Sequence, residues 1–155
     1  MRAISREPKS NDSGFTLLEL TVSLALIALA VTVVAPRMTA SRASMTLRAA
    51  AIDISSSLKT ARAQARTSNR DTVFVVDTAN RRYTADGAIK PKYIVRPIAL
   101  TFAANASEVS SPSRGGFRFR PDGTASGGAI TLTSGRDSAT ISVDWLTGAI
   151  VLKWR

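Results

Sequence analysis

Hydrophobic and polar positions divide the chain into stretches of different period. From Leu20 to Pro36 no side chain is charged, and residues 15–36 contain one ionisable group, Glu19. As a helix this segment rises about 33 Å at ~1.5 Å per residue, enough to cross a hydrocarbon layer of ~30 Å. A buried core helix of such length would carry a polar face. A secretory signal would end in a small-x-small site before a polar mature start, which is missing here. The pattern therefore predicts a membrane anchor. Over residues 37–70 the pattern becomes amphipathic: Leu47, Ala51, Ile54, Leu58, Ala61 and Ala65 recur three and four apart. Lys59, Arg62, Arg66 and Arg70 form a separate basic face, expected to be solvated. Residues 15–70 thus predict one long helix of about 80 Å, bent at Pro36.

Beyond Asn69 the period shortens. Strands are predicted at Thr72–Asp77, Tyr93–Phe102, Gly116–Arg120, Ala129–Thr133, Thr140–Asp144 and Ala149–Trp154, which are β-branched or aromatic and bounded by turn residues. Asn80–Arg82, Ala85–Ala88, Pro121–Gly128 and Thr147–Gly148 supply the turns. The stretch Asn105–Gly116, rich in Ser, Pro and Gly, reads as an exposed loop. A helix followed by an antiparallel sheet is an α+β arrangement, with the amphipathic half of the helix laid on the sheet.

Composition narrows the chemistry. The 155 residues include no His and no Cys, which removes disulfides, thiolate chemistry, the usual general base and the commonest transition-metal ligand. Asp122 and Asp144 are the candidates for a carboxylate pair, but Asp122 sits in Pro-Asp-Gly, where Asp favours a turn by local hydrogen bonding. The D-x-D-x-D-G spacing of a Ca²⁺ loop is missing, and neither Gly115-Gly116 nor Gly127-Gly128 is followed by the Lys-Ser/Thr of a phosphate cradle. The expectation is a protein that is not an enzyme and needs no cofactor or metal.

Charge adds one lead. The net charge is +10, essentially all of it carried after residue 36, which suggests an anionic partner. Arg118 and Arg120, two apart on one strand face, together with Lys153 and Arg155, are the candidate patch; Arg114, Arg136 and Trp154 could extend it towards nucleic acid. A solvated strand face is the competing reading. Glu19 is the other lead, because a carboxylate within an apolar helix costs a few kcal/mol unless it is neutralised. Were the chain to begin at Phe15, the new α-ammonium would lie near Glu19 of the same or a neighbouring subunit. The competing reading is an interfacial Glu that reaches water. Basic residues flank the apolar segment on both sides, so charge alone leaves its orientation open.

Ser13-Gly14-Phe15-Thr16-Leu17-Leu18-Glu19, followed by the long apolar run, resembles the class III signal of type IV pilins and type II secretion pseudopilins. The resemblance implies cleavage between Gly14 and Phe15 on the cytoplasmic side and N-methylation of Phe15. It also implies an assembly role for the Glu19 carboxylate and a helix kink at Pro36. At the other end, Phe117–Leu132 with its Phe-x-Pro-x-Gly turn, and Ile141–Gly148 ending in Thr-Gly, resemble the GspH/FimT domain. Where DNA-binding FimT-like pilins carry Gly-Arg-x-Arg, this chain has Gly148-Ala149-Ile150-Val151, with neither arginine.

The expected organisation is a prepilin leader at 1–14, a transmembrane and assembly helix at 15–36, and a periplasmic GspH-like domain at 37–155. The expected function is that of a minor pseudopilin in a type II secretion pseudopilus. The alternative is a FimT-like minor pilin for pilus initiation or DNA uptake. The resemblance implies as partners the prepilin peptidase/N-methyltransferase, other major and minor pseudopilins, the inner-membrane assembly platform and membrane lipid. Nucleic acid is the less favoured partner.

Overall fold

Thr16 opens the first element: its hydroxyl accepts the Glu19 backbone N–H at 3.2 Å, the Thr-x-x-Glu arrangement that caps a helix N-terminus. Helix α1 then runs Leu17–Ser68. The computed structural model describes residues 15–155, with side chains described outside 33–41. The chain divides into two units, 1–39 and 40–155, each holding part of α1. At its far end α1 is closed by Asn69 in the left-handed region, φ 50°, with the Arg70 N–H on the Ala65 carbonyl at 3.2 Å. That is the Schellman closure, and Asn tolerates the required backbone without Gly.

Within the second unit the stripe read from the sequence is the buried one: Leu47, Ala51, Ile54, Leu58, Ala61 and Ala65 are all at most 2 % exposed. Burying Leu47, Ile54 and Leu58 contributes about 1.5–3 kcal/mol each. Ala51, Ala61 and Ala65 complete the same buried face with small side chains. Facing it are Phe74, Phe117 and Phe119 from one sheet and Ile130, Leu132 and Ile141 from another, each fully buried.

The strands form two antiparallel sheets where one was expected. The first has the order β3-β2-β1-β6-β5, from β1 (Thr72–Asp77), β2 (Arg82–Ala85), β3 (Ile89–Tyr93), β5 (Val109–Ser111) and β6 (Arg114–Phe119). The second has the order β4-β7-β8-β9, from β4 (Ala99–Ala104), β7 (Gly128–Ser134), β8 (Asp137–Val143) and β9 (Ile150–Trp154). The long-range pair β1·β6 aligns Phe74 with Phe117 and Thr72 with Phe119, so the aromatic side chains share the face turned to the helix.

Two further expectations need correction. Tyr93–Phe102 is not one strand: β3 ends at Tyr93 and β4 begins at Ala99. Between them Ile94 and Ile98 turn inward and are buried, while the Arg81 guanidinium binds the carbonyls of Ile94, Val95 and Ile98. Those bonds satisfy carbonyls that a strand ladder would otherwise have used. The segment Asn105–Gly116 is not a plain loop either. It contains a 3₁₀ turn, Ala106–Glu108, capped by Asn105, followed by β5 and the start of β6.

Candidate functional site

The first candidate site is the N-terminal arm of α1. Phe15 is 82 % exposed, and Leu17, Leu18, Leu20, Val22, Leu24 and Leu26 all project outward. Two of its hydroxyls are turned onto the helix backbone, Thr21 on Leu18 O at 2.8 Å and Thr32 on Leu29 O at 2.7 Å, which satisfies those donors on an apolar surface. Glu19 stands at the third helical position, on the positive end of the helix dipole. Among the described residues, no helix is long and apolar enough to cross a membrane. The apolar segment read from the sequence continues past Thr32 into positions whose side chains lie outside the description. Gly14 lies outside the described residues. Pro36 falls within the span of α1, but its side chain, and the kink expected there, lie outside the description.

The second candidate, the cationic patch, is divided by the fold. Arg118 is not free: its Nε and Nη2 donate to the two Glu108 carboxylate oxygens at 2.8 and 3.2 Å, and Asp71 lies 3.6 Å from its Nη1. Glu108, held by the 3₁₀ turn, raises the pKa of this guanidinium. Arg120 lies beyond the end of β6, its guanidinium 3.5 Å from the Thr124 hydroxyl. It lines a cleft of about 910 Å³ together with Lys153, Val151, Asp144 and Trp145. Arg118 lines a different depression, beside Arg114. Arg155 closes the β8–β9 ladder through its backbone, with Ser138 N and O both at 2.9 Å. The four expected cations therefore do not form one surface. Trp154 is half covered as a stacking platform, since the Arg48 guanidinium lies 5.6 Å above its ring.

Neither Asp122 nor Asp144 is set up as an acid. Asp122 accepts from the Thr124 N–H and hydroxyl at 2.8 and 2.7 Å. Asp144 accepts from the N–H groups of Leu146 and Thr147 at 3.1 and 2.8 Å and from the Thr147 hydroxyl at 2.8 Å. These backbone and hydroxyl bonds favour the ionised form and lower both pKa values. Among the described residues no cluster of three or more His, Cys, Asp or Glu could hold a metal.

What sequence reasoning missed is the residue that joins these turns. Arg62, expected on a solvated face, donates to the Thr147 carbonyl at 2.7 Å and to the Gly123 carbonyl at 3.4 Å. The Pro-Asp-Gly turn and the Thr-Gly turn are thereby fastened to α1. Gly148 follows at φ +62°, and a Cβ there would collide with the Gly123 carbonyl oxygen and the Arg62 Nε. The second missed group is Asp53, which accepts from the buried Tyr83 hydroxyl and, at 2.6 Å, from Lys92. It anchors the β2–β3 hairpin to the helix. Burial would raise the Asp53 pKa, but the bonds from Lys92 and Tyr83 and the Lys92 charge outweigh it and hold the pKa below its usual value. The signal available in the sequence was a helix position for Asp53 beside the apolar stripe and the Tyr-x-Ala pattern of β2.

A capped apolar helix arm, its continuation laid across two antiparallel sheets, and a Thr-Gly turn fastened to that helix define a pilin-like subunit. Comparison with known proteins carries this to a family. The model of the type II transport protein GspH matches residues 50–148, and that of the prokaryotic N-terminal methylation motif matches residues 9–35. The chain belongs to the GspH family. It is 31 % identical over 137 residues to the type II secretion system protein H of Xanthomonas campestris pv. campestris, covering 88 % of this chain and 80 % of that one. Two structures of the minor pseudopilin EpsH from the type 2 secretion system of Vibrio cholerae share the fold, with TM-scores of 0.57 and 0.53 at 13 % identity. Each covers 69 % of this chain, and the matches take in 95 % and 92 % of theirs.

Proposed function

We propose that this chain works as a minor pseudopilin of a type II secretion pseudopilus and enters the fibre through the N-terminal arm of α1. Membership of the GspH family and the likeness to the Xanthomonas protein support the machine; the arm supports the mode of entry. The prepilin peptidase removes residues 1–14, and Phe15 becomes a methylated N-terminus immediately before the Thr16 cap. Before assembly, residues 15–36 hold the chain in the inner membrane, with the leader cytoplasmic and residues 37–155 periplasmic. Lipid, the assembly platform and the other pseudopilins are the partners.

The observation that carries this reading is the set of outward leucines and valines around one carboxylate. Nothing in the chain covers them among the described residues, so they serve a surface outside it. Neighbouring helices in a fibre core provide that surface. An ionised carboxylate in hydrocarbon costs about 2.5–3.5 kcal/mol on insertion scales. The Phe15 ammonium of an adjacent subunit neutralises Glu19 and so sets the axial register. The β-sheets stay outside the core and present their surface to other components.

Intact-mass analysis of the chain recovered from cells that contain a prepilin peptidase tests the processing. The expected mass corresponds to loss of residues 1–14 and gain of one methyl group. An unprocessed chain that still assembles would overturn the reading.

A further inference from the structure

The edges of the two sheets are not treated alike. β3 carries Lys90, Pro91 and Lys92, residues that discourage pairing with another strand. β5 has three residues, and β4 packs beside β6 with Phe102 over Gly115. β9, IVLKW, has no Pro, no Gly and a single Lys, and it pairs on one side only, with β8.

The register shows which backbone groups of β9 are free. Ser138 and Arg155 exchange both bonds, and the Asp144 N–H reaches the Ala149 carbonyl at 2.9 Å. Alternation along an antiparallel ladder then turns the groups of Val151 and Lys153 towards β8 and those of Ile150, Leu152 and Trp154 outward. The same alternation puts the Ile150 and Leu152 side chains on the helix side. There they line a slot of about 280 Å³ with Ile52, Ser55, Ser56 and Lys59. Ile52 is 58 % exposed at its rim. On the opposite face Lys153 points into the cleft it shares with Arg120.

We propose that the free edge of β9 receives an extended acidic segment of another protein, which adds as a strand. Its backbone pairs with Ile150, Leu152 and Trp154. Alternate apolar side chains enter the slot beside Ile52, and the intervening carboxylates lie on the Lys153 face. Charge selects this occupant. Lys59, Arg120 and Lys153 enter no salt bridge among the described residues. The nearby carboxylates are already taken, Asp144 by its own turn and Glu108 by Arg118. A second copy would bring the same cations against themselves in a chain of net charge +10, an arrangement that disfavours pairing.

Amide hydrogen exchange on the full chain in detergent tests this, with a short blocked peptide of alternating Val and Glu as the probe. The peptide should slow exchange at Ile150, Leu152 and Trp154. N-methylation of the peptide on its pairing edge should abolish that protection, and Ile52→Glu should weaken binding about tenfold or more while exchange in β1 and β6 stays unchanged. No protection at β9 would overturn the proposal. So would equal protection from the N-methylated peptide, protection at β3 or β4 instead, or the same effect from an oligodeoxynucleotide, which would assign the edge to charge alone.

Discussion

The Arg62 guanidinium donates to the Thr147 carbonyl at 2.7 Å across 85 positions of sequence. A residue near the C-terminal end of the helix thus holds the last β-turn of the chain, and through the Gly123 carbonyl it holds the Pro-Asp-Gly turn as well. Arg62→Ala should lower unfolding free energy by about 1.5 kcal/mol, the low end for a charged donor, because the contact is open to solvent. Arg62→Lys should not restore it, since a single ammonium lacks the fork that spans two carbonyls. Chemical denaturation of the full chain in detergent measures both.

Gly148 and Gly87 separate the effect of conformation from that of contact. Both have positive φ, +62° and +69°, but nothing lies within 4 Å of a Cβ at Gly87. Gly87→Ala should cost about 1 kcal/mol from backbone strain alone. Gly148→Ala should cost clearly more, because the Gly123 carbonyl and Arg62 must move apart. Equal losses in the same denaturation experiment would show that Arg62 does not constrain the turn.

Arg118 and Arg120 should behave oppositely despite their spacing of two. Arg118→Ala leaves the Glu108 carboxylate, 10 % exposed, without its partner and should cost about 2 kcal/mol after allowance for the partly exposed arginine. Arg120→Ala should stay within about 0.5 kcal/mol of the parent. Thermal melts of the two variants distinguish a structural arginine from a free one.

Asp53 links stability to acid. Its folded pKa is lowered from 3.8 by Lys92 and Tyr83, so the folded state holds its proton less tightly than the unfolded state. The stabilisation is present above the unfolded value and is lost as pH falls through the folded one. Unfolding free energy should therefore fall as pH drops below about 4. Asp53→Asn should flatten part of that slope, as read from denaturation curves across pH 2–6.

The helix, its buried stripe and five of the strands were legible because each announces itself locally. Leu47 to Ala65 keep a helical period, Asn69 ends it, and TVFVVD or AITLT are β-branched runs between turns. The missed elements lack such signals. β3 reads IKPKY, and β5 is three residues inside a serine-rich stretch. The strand expected across Tyr93–Phe102 fails because the need to bury Ile94 and Ile98 overrides β-propensity. Nothing local tells β1 to pair with β6, so the division into two sheets was not readable. The Gly14-Phe15 junction and Glu19 were read from a local motif alone, and Gly14 lies outside the described residues. Arg62 was not, because its partners lie 61 and 85 positions away, and from spacing alone a basic helix face looks the same whether it is solvated or holding a turn.

Pseudopilus fibres recovered from secreting cells test assembly through Glu19 most directly. With the native chain, mass spectrometry of the fibres should find the subunit beginning at a methylated Phe15. With Glu19→Ala, the subunit should be processed to the same N-terminus and remain in the inner membrane, missing from the fibres. Glu19→Ala incorporated at the native level would contradict assembly through this carboxylate.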